Sequence, residues 1–328
     1  MHRSNEERLD CGKPQSPWAR ETGGKVLRIM AKPKPTISII GAGRLGTALA
    51  IALTSKGYPI VAVAARRAAH ARKSISLSGL PSQTLALGAD QLEQLPPSDL
   101  VLITTPDDVI AEIARNFARL RRSARHRSTF LHTSGALSSE VLSPLAKAAF
   151  HTGSMHPLVS VSDSVAGAAA LHGAFYCIEG DSVALRFAKS IVRDLTGTSF
   201  TIKPESKALY HAAAVMASPH LVALFDLASE MLIVCGLKAK RARRILLPLV
   251  ESTLNNLKTR EPKKALTGTF ARGDLATVNR HLKAMSGKQL AEALEIYKLL
   301  GLHSLQLAAK NGLDPKLANQ IRKALKTT

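Results

Sequence analysis

Hydrophobic positions along this chain follow two successive rhythms. Between Thr36 and Ile202, short β-branched runs alternate with alanine- and leucine-bearing stretches of helical period; from Pro204 onward the strand rhythm stops and helical spacing takes over. Thr36–Ile40, Tyr58–Ala65, Leu100–Thr105, Thr129–Thr133, Ala174–Gly180 and Ser199–Ile202 read as strands, with Leu100–Thr105 counted as the fourth. Ser154–Leu158 reads as a strand end and residues 182–195 as a helix. Strands alternating with helices predict an α/β fold, a Rossmann doubly wound and mostly parallel sheet, followed by an all-α C-terminal domain. The boundaries fall at 1–35 for a polar tail, 36–203 for the sheet domain and 204–328 for the helical one.

In the second half, an alanine-rich helix is expected from Glu205 to about Gly236, kinked or locally broken at Pro219. Further helices are expected over Ala242–Lys258, Leu275–Met285, Gly287–Asn311 and from Pro315. Leu266–Asp274 reads as a loop, with Asp274 capping the helix that starts at Leu275. The longest apolar stretch, Leu221–Leu237, is interrupted by Asp226 and Glu230, so no membrane span is expected. Met1–Pro35 has no periodicity and no apolar leader core, which predicts a disordered tail. Met30, just ahead of Lys32-Pro33-Lys34-Pro35, is the expected natural start of translation. Cys11, Cys177 and Cys235 are scattered without metal-ligand spacing, which suits a reducing cytoplasm and predicts no metal site.

The charge balance changes the picture only briefly. Forty-five basic residues against 24 acidic give a formal +21, which raises nucleic acid as a partner. The densest basic runs, Arg115–Arg127 and Lys238–Arg244, lie where helices should end or begin and carry no interleaved aromatics. They read as solvated surface, and nucleic acid is not an expected partner.

The chemistry begins where the first strand ends. Gly41-Ala42-Gly43-Arg44-Leu45-Gly46 stands between a strand and a helix, the context in which G-x-G-x-x-G marks a dinucleotide site. Gly41 allows the tight turn, Gly43 lets a pyrophosphate approach, and Gly46 lets the helix pack on its strand. The second strand ends in Arg66-Arg67 rather than in an acidic residue, which favours the 2′-phosphate of NADP over the ribose hydroxyls of NAD; the alternative is a basic helix cap. Thr105, Pro106, His132, Ser134 and Gly135 follow later strands and should line the nicotinamide half of the crevice. Asp107 reads first as a helix N-cap. His156, held extended by Pro157, either contacts substrate or hydrogen-bonds within its loop.

Lys207, His211 and Ser218 share one helix face amid small apolar residues. A lysine there would have a lowered pKa and could give a proton to a carbonyl oxygen or imine nitrogen; the alternative is a surface lysine one turn before a buried histidine. Arg272 could clamp a carboxylate as a bidentate fork or simply be an exposed loop residue. Glu251 with Asn255, and Thr277 with His281, form further polar pairs one turn apart. No tyrosine precedes a lysine by four residues, and Walker, H-E-x-x-H and G-x-S-x-G motifs are absent.

Taken in order, G-A-G-R-L-G (41–46), T-T-P-D-D-V-I (104–110), H-T-S-G-A-L (132–137), S-M-H-P-L (154–158), K-A-L-Y-H-A-A-A-V (207–215) and the run from Leu266 to Leu282 carry a family resemblance. The chain resembles the bacterial Rossmann-like oxidoreductases with a C-terminal domain of unknown function 2520. That group is similar to pyrroline-5-carboxylate reductase and the β-hydroxyacid dehydrogenases and includes the alternative ketopantoate reductase. The resemblance implies an NADP(H)-binding domain followed by a helical domain that builds a homodimer. In the β-hydroxyacid dehydrogenases a lysine, with an amide residue one turn later, assists proton transfer; Lys207 matches the lysine and His211 stands where the amide would be. Pro219 stands where the group often has Asn, and Thr269-Phe270 where it often has Pro-Ile or similar. The expected function is an NADP-dependent reductase of a small oxo acid or related carbonyl or imine, with ketopantoate as the named substrate. Lys207 is the expected general acid, with His211, His156 and Arg272 positioning substrate. The rival readings are a non-catalytic NADP-binding sensor and, further off, a nucleic-acid-binding protein.

Overall fold

The structure, a computed structural model, describes residues 33–120 and 128–327. Eight strands form one sheet: β1 (Ile37–Ile40), β2 (Ile60–Ala64), β3 (Leu85–Leu87), β4 (Leu100–Ile103), β5 (Thr129–His132), β6 (His151–Pro157), β7 (Phe175–Gly180) and β8 (Thr198–Phe200). Their order is β3-β2-β1-β4-β5-β6-β7-β8, and β6 pairs antiparallel with β7 while the other pairings are parallel. Six helices accompany the strands: α1 (Arg44–Ser55), α2 (Ala68–Leu77), α3 (Asp107–Arg119), α4 (Ser143–Lys147), α5 (Ser164–Ala170) and α6 (Ser182–Asp194). The chain continues as α7 (Lys207–Ala217), α8 (Pro219–Val234), α9 (Ala239–Thr259) and α10 (Pro262–Ala265). It ends with α11 (Thr269–Arg272), α12 (Leu275–Ala284), α13 (Ala291–Lys310) and α14 (Pro315–Thr327).

β1 and β4 are buried at every position, which is why they appear as unbroken apolar runs. Successive side chains point to opposite faces, so Ile37, Ile39, Leu100 and Leu102 join one core with Leu49 and Leu53 of α1 and Ile191 of α6. Ile40, Val101 and Ile103 join the other, against Ile110 and Phe117 of α3 and Leu145 of α4. A third core lies wholly among the last helices, built on Val278, Leu282, Leu305, Ile321 and Leu325. Helices α7, α8 and α9 contribute little to any of these; each buries a single residue, Lys207, Ser229 and Ala242 respectively.

The periodicity located most elements within a few residues and missed some features. β3 was not located, because three residues carry too little pattern. β6 is a full strand rather than a strand end, since its pairing with both β5 and β7 extends it back to His151. Pro219 breaks the expected long helix in two: Ser218 adopts φ −125° and ψ −75°, and the proline restarts the helix as the first residue of α8. The stretch 266–274 is not simply a loop. It holds the single turn α11 between Gly268 and Gly273, both at positive φ, while Asp274 caps α12 as expected by accepting the Thr277 N–H.

One expectation needs narrowing. Pro204–Val234 is, by length and composition, long and apolar enough to cross a membrane. The two carboxylates of α8 interrupt the stretch without dropping it below that limit. The break at Ser218 and the anchoring of Lys207 beneath the sheet edge give its apolar side chains another role, taken up below. The tail boundary also moves: Pro33–Pro35 are placed, with Lys34 Nζ paired to Asp194. The expectations for the rest of the tail, Met30 as the start and Cys11 lie outside the described residues, as does the end of the basic run at 121–127.

Asp181 ties strand to helix. Its Oδ1 accepts the N–H groups of Val183 and Ala184 at the start of α6, and Oδ2 accepts the Thr152 N–H of β6. Burial alone would raise its pKa, but the N–H groups of Ala184, Thr152 and Val183, with His151, outweigh this and hold the carboxyl below its usual range. With a depressed folded pKa, the stabilisation is present above the unfolded value and is lost as pH falls through the folded one. Asp181→Ala should cost about 1 kcal/mol at pH 7, a difference that shrinks toward pH 3 in urea unfolding.

Candidate active site

The turn after β1 leaves no latitude at two of its glycines. Gly41 sits at φ 120°, and a Cβ there would lie 2.6 Å from the Thr104 carbonyl carbon. At Gly46 a Cβ would lie 1.8 Å from the Gly41 oxygen and 2.5 Å from Thr104 Oγ1. Thr104 Oγ1 donates to that same Gly41 oxygen at 2.6 Å, so α1, β1 and β4 meet in one close contact. Gly43 is different: nothing lies within 4 Å of where its Cβ would be. It caps α1, whose first turn holds no acidic residue. The N–H groups of Arg44, Leu45 and Gly46 have no partner within the helix and point, with the positive end of its dipole, into this opening. Ala42 is half-buried, and Arg44 is exposed with its guanidinium 3.4 Å from the Ser162 carbonyl. Beyond β2, Arg66 and Arg67 are both exposed; Arg67 is the N-cap residue of α2 and reaches His70 Nε2 at 3.0 Å. The turn after β4 places Pro106 as the N-cap residue of α3, and Thr105 Oγ1 is buried without a hydrogen-bond partner.

Ser134, after β5, organises the opposite wall. Its hydroxyl donates to Asp107 Oδ2 at 2.8 Å and accepts the N–H groups of Ala136 and Leu137. Asp107 is therefore not the N-cap it resembled in the sequence; it is the first helical residue, and its carboxylate is used across the crevice. The Ser134 N–H donates to Nδ1 of His132, which is fully buried and faces the Ser138 carbonyl through Nε2. Desolvation, with Lys207 nearby, lowers the His132 pKa to about 3, so the ring is neutral and structural.

Lys207 opens α7 and is 1% exposed. Its ammonium donates to Ser154 Oγ at 2.9 Å and to the Ser134 carbonyl at 3.3 Å. Burial lowers its pKa from the ordinary lysine value, against the raising effect of Cys177, Glu179 and Asp107. One turn on, His211 faces His156 with ring centroids 5.7 Å apart, nearly perpendicular. Both converge on Gly135, where a Cβ would lie 2.4 Å from His211 Nδ1 and 2.8 Å from His156 Nε2. Tyr210 Oη lies 2.7 Å from His156 Nδ1. Burial, then the positive charges of Lys207 and of His211 when protonated, lower the His156 pKa to about 4, so this ring is also neutral at physiological pH. Burial also raises the Tyr210 pKa, keeping its phenol protonated. The phenol then donates to Nδ1, which leaves the His156 proton on Nε2, facing Gly135. His211 Nδ1 is buried and has no partner.

Leu45, Thr104, Thr105, Asp107, Ser134, Gly135, His156 and His211 thus share one crevice of about 260 Å³ at the carboxyl ends of β1, β4 and β5. Lys207 lies behind its floor, through Ser134 and Ser154. Arg272 does not join them. It is exposed on α11, which packs on α12 and α13 through Phe270 and the third core, so within one chain it lines neither the crevice nor the cavity beside it. His281 likewise bonds Tyr297 inside the helical region. Sequence reasoning missed Ser154 and Tyr210. Ser154 stands two residues before His156, the spacing that puts both on one strand face, and it was legible as such. Among the described residues, no group of three or more His, Cys, Asp or Glu is placed to hold a metal ion.

Comparison with known proteins agrees with this architecture. Residues 22–157 match the Rossmann-like domain family and residues 174–304 the family described as domain of unknown function DUF2520. The second match begins within the sheet, which itself runs to Phe200. BF3122 of Bacteroides fragilis, assigned as an NADP oxidoreductase, is similar in structure with a TM-score of 0.68 and 24% identity, over 84% of this chain and 99% of that one. A pyrroline-5-carboxylate reductase from Coxiella burnetii is similar with a TM-score of 0.52 and 15% identity, over 90% and 100%. At these identities the likeness is one of fold. The curated glycerol-3-phosphate dehydrogenase [NAD(P)+] of Edwardsiella ictaluri is 34% identical over 104 residues, 29% of this chain and 31% of that enzyme, so the match spans less than a third of the curated relative.

The contrast among the glycines is testable by thermal unfolding. Gly46→Ala should lower the melting temperature sharply or prevent folding, since backbone occupies the space its methyl needs. Gly43→Ala should leave stability unchanged or raise it by about 0.4–1 kcal/mol, because its φ of −77° suits any residue.

Proposed function

We propose that this chain, a Rossmann-like domain continued by a DUF2520 domain, is an NADP(H)-dependent reductase of small carbonyl or imine compounds. The observation that carries the reading is the placement of Lys207: a desolvated ammonium brought by the helical domain to the carboxyl ends of the strands, beside Ser134 and Gly135. Two further features fit a bound dinucleotide. The space beside Gly43, at the start of α1, is open, and the buried Thr105 hydroxyl lacks a partner. Gly41 to Gly46 would hold the pyrophosphate, Arg66 and Arg67 the 2′-phosphate, and Thr105, Pro106, Ser134 and Gly135 the nicotinamide end. The names of the similar proteins agree with this assignment.

When bound, NADPH supplies the hydride that reduces the carbonyl or imine carbon. The protein supplies the proton and the polarisation. His156 Nε2–H, its tautomer set by Tyr210, donates to the substrate oxygen or nitrogen as a neutral imidazole. Lys207 is the source of the proton that completes the alcohol or amine; it is held behind the crevice floor by Ser154 and the Ser134 carbonyl, so that proton reaches the substrate by relay rather than by direct contact. His211 Nδ1 offers a further contact at the substrate. Small oxo acids suit this chemistry, and ketopantoate is the first compound to try. The reading includes a cytoplasmic setting, in keeping with the scattered cysteines.

It also includes a homodimer. Leu209, Met216 and Val222 are 76%, 71% and 70% exposed on α7 and α8, with Leu249 of α9 at 64%. A second copy covering these faces would remove a large apolar surface from water. Arg272, exposed and outside the lining of its own crevice, is available to the partner's. Sedimentation should give a dimer, and Val222→Glu with Leu249→Glu a monomer.

The deciding experiment is a screen of NADPH oxidation over small oxo acids and cyclic imines, with NADH alongside. Turnover with NADPH preferred is expected, and bound NADPH that is never oxidised would leave a sensor instead. Lys207→Ala should lower kcat by about 100-fold or more with NADPH affinity retained. Because Lys207 must be protonated to act and its pKa is depressed, kcat should fall on the alkaline side at a pH below the ordinary lysine value. Tyr210→Phe should lower kcat and shift the acid limb of the profile while leaving Lys207's limb in place.

A further inference from the structure

A second cavity, of about 410 Å³, opens directly beside the crevice and shares His156, Val159 and His211 with it. Its other walls differ in kind. Leu158 from the strand β6 exit, Ala214, Val215 and Ala217 from α7, and Pro219 at the head of α8 face it, with Ser160 and Ser218 as the polar members. We infer that this cavity receives an apolar substituent of the substrate, so that the preferred substrates are carbonyl or imine compounds carrying an alkyl or aryl group of several carbons. The inference rests on the reductase reading for the headgroup and on the cavity itself for the substituent.

The argument is one of continuity and size. The crevice beside Gly135 is small and holds the polar groups that would engage the reacting atoms, namely His156 Nε2 and His211 Nδ1. A substituent on the reacting carbon that leaves the crevice past these two rings enters the second cavity, because the rings form the shared wall. The cavity falls within the size range of small-molecule sites, and its lining mixes apolar walls with few polar groups in the usual proportion. Its depth depends on small residues: Ala214, Ala217 and Ser218 present no bulk where a leucine would fill the space. Pro219 brings an apolar ring and no N–H, so the helix start that would otherwise offer donors here offers one fewer.

Chain length is the variable that tests this. NADPH oxidation is followed with 2-oxo acids from four to eight carbons and with 2-alkyl-1-pyrrolines of matching substituents. Each added methylene should raise kcat/KM about fourfold, the equivalent of about 0.8 kcal/mol per buried methylene, in both series until the cavity is full. Ala214→Leu should flatten that dependence, with Ala217→Leu as a second variant should the first fold poorly. Turnover without chain-length dependence overturns the inference and leaves the reductase reading standing. If nothing oxidises NADPH, melting temperature with n-alkyl carboxamides decides: a shift that grows with chain length and disappears in Ala214→Leu sustains the cavity while the reductase reading falls, and no such shift overturns both. Should Ala214→Leu instead dissociate a dimer, the cavity belongs to a second copy and the inference fails.

Discussion

A buried ammonium with two oxygen partners holds the candidate site together. Lys207 is the first residue of the first long helix after the sheet, and it reaches the backbone carbonyl of Ser134 and the hydroxyl of Ser154. A lysine so enclosed is costly unless its donors are satisfied, and the two oxygens come from β6 and from the turn after β5. The orientation of α7 is thereby tied to the sheet edge, and with it the positions of Tyr210 and His211. The chemistry and the packing of the domain junction rest on the same contact.

Around that charge the histidines are kept uncharged. His132 and His156 lie close enough to Lys207 for a second positive charge to be disfavoured, and burial acts in the same direction. The result is a division of labour in which the mobile proton belongs to the lysine and the imidazoles act as fixed dipoles. Gly135 makes the arrangement possible, because two rings approach the place where any other residue would carry its side chain.

Much of this was legible in the sequence, for identifiable reasons. The glycine turn and the strands β1 and β4 are dictated by local constraints that act within a few residues: apolar runs buried on both faces, and glycines where backbone meets backbone. Lys207 and His211 were legible because a helix places every fourth residue on one face. Asp107 was misread because the preference for acids at helix starts is satisfied in the same sequence position whether the carboxylate caps its own helix or reaches Ser134 across the crevice. The place of Arg272 outside its own crevice was hidden for a related reason. Nothing in the order of motifs tells which domain face a one-turn helix presents, and Phe270 turns α11 into the third core rather than toward the sheet. The apolar stretch Pro204–Val234 is longer than the two carboxylates within it suggest, and sequence alone does not show that its side chains lie largely exposed on a broken pair of helices.

The break at Ser218 separates what one continuous helix would have joined. Pro219 brings no N–H, and the Val222 N–H reaches back to the Ser218 carbonyl at 3.3 Å, so the chain crosses from α7 to α8 on one fewer helical bond. Everything that touches the reacting atoms lies on the α7 side of that joint, whereas the apolar surface open to association spans it, with Leu209 and Met216 on α7 and Val222 on α8. A partner seated on this surface would therefore bear on both sides of the joint, on the helix that carries the lysine as well as on the one beyond it. Assembly and reaction thus share α7, and a substitution at Leu209 or Met216 would touch both at once.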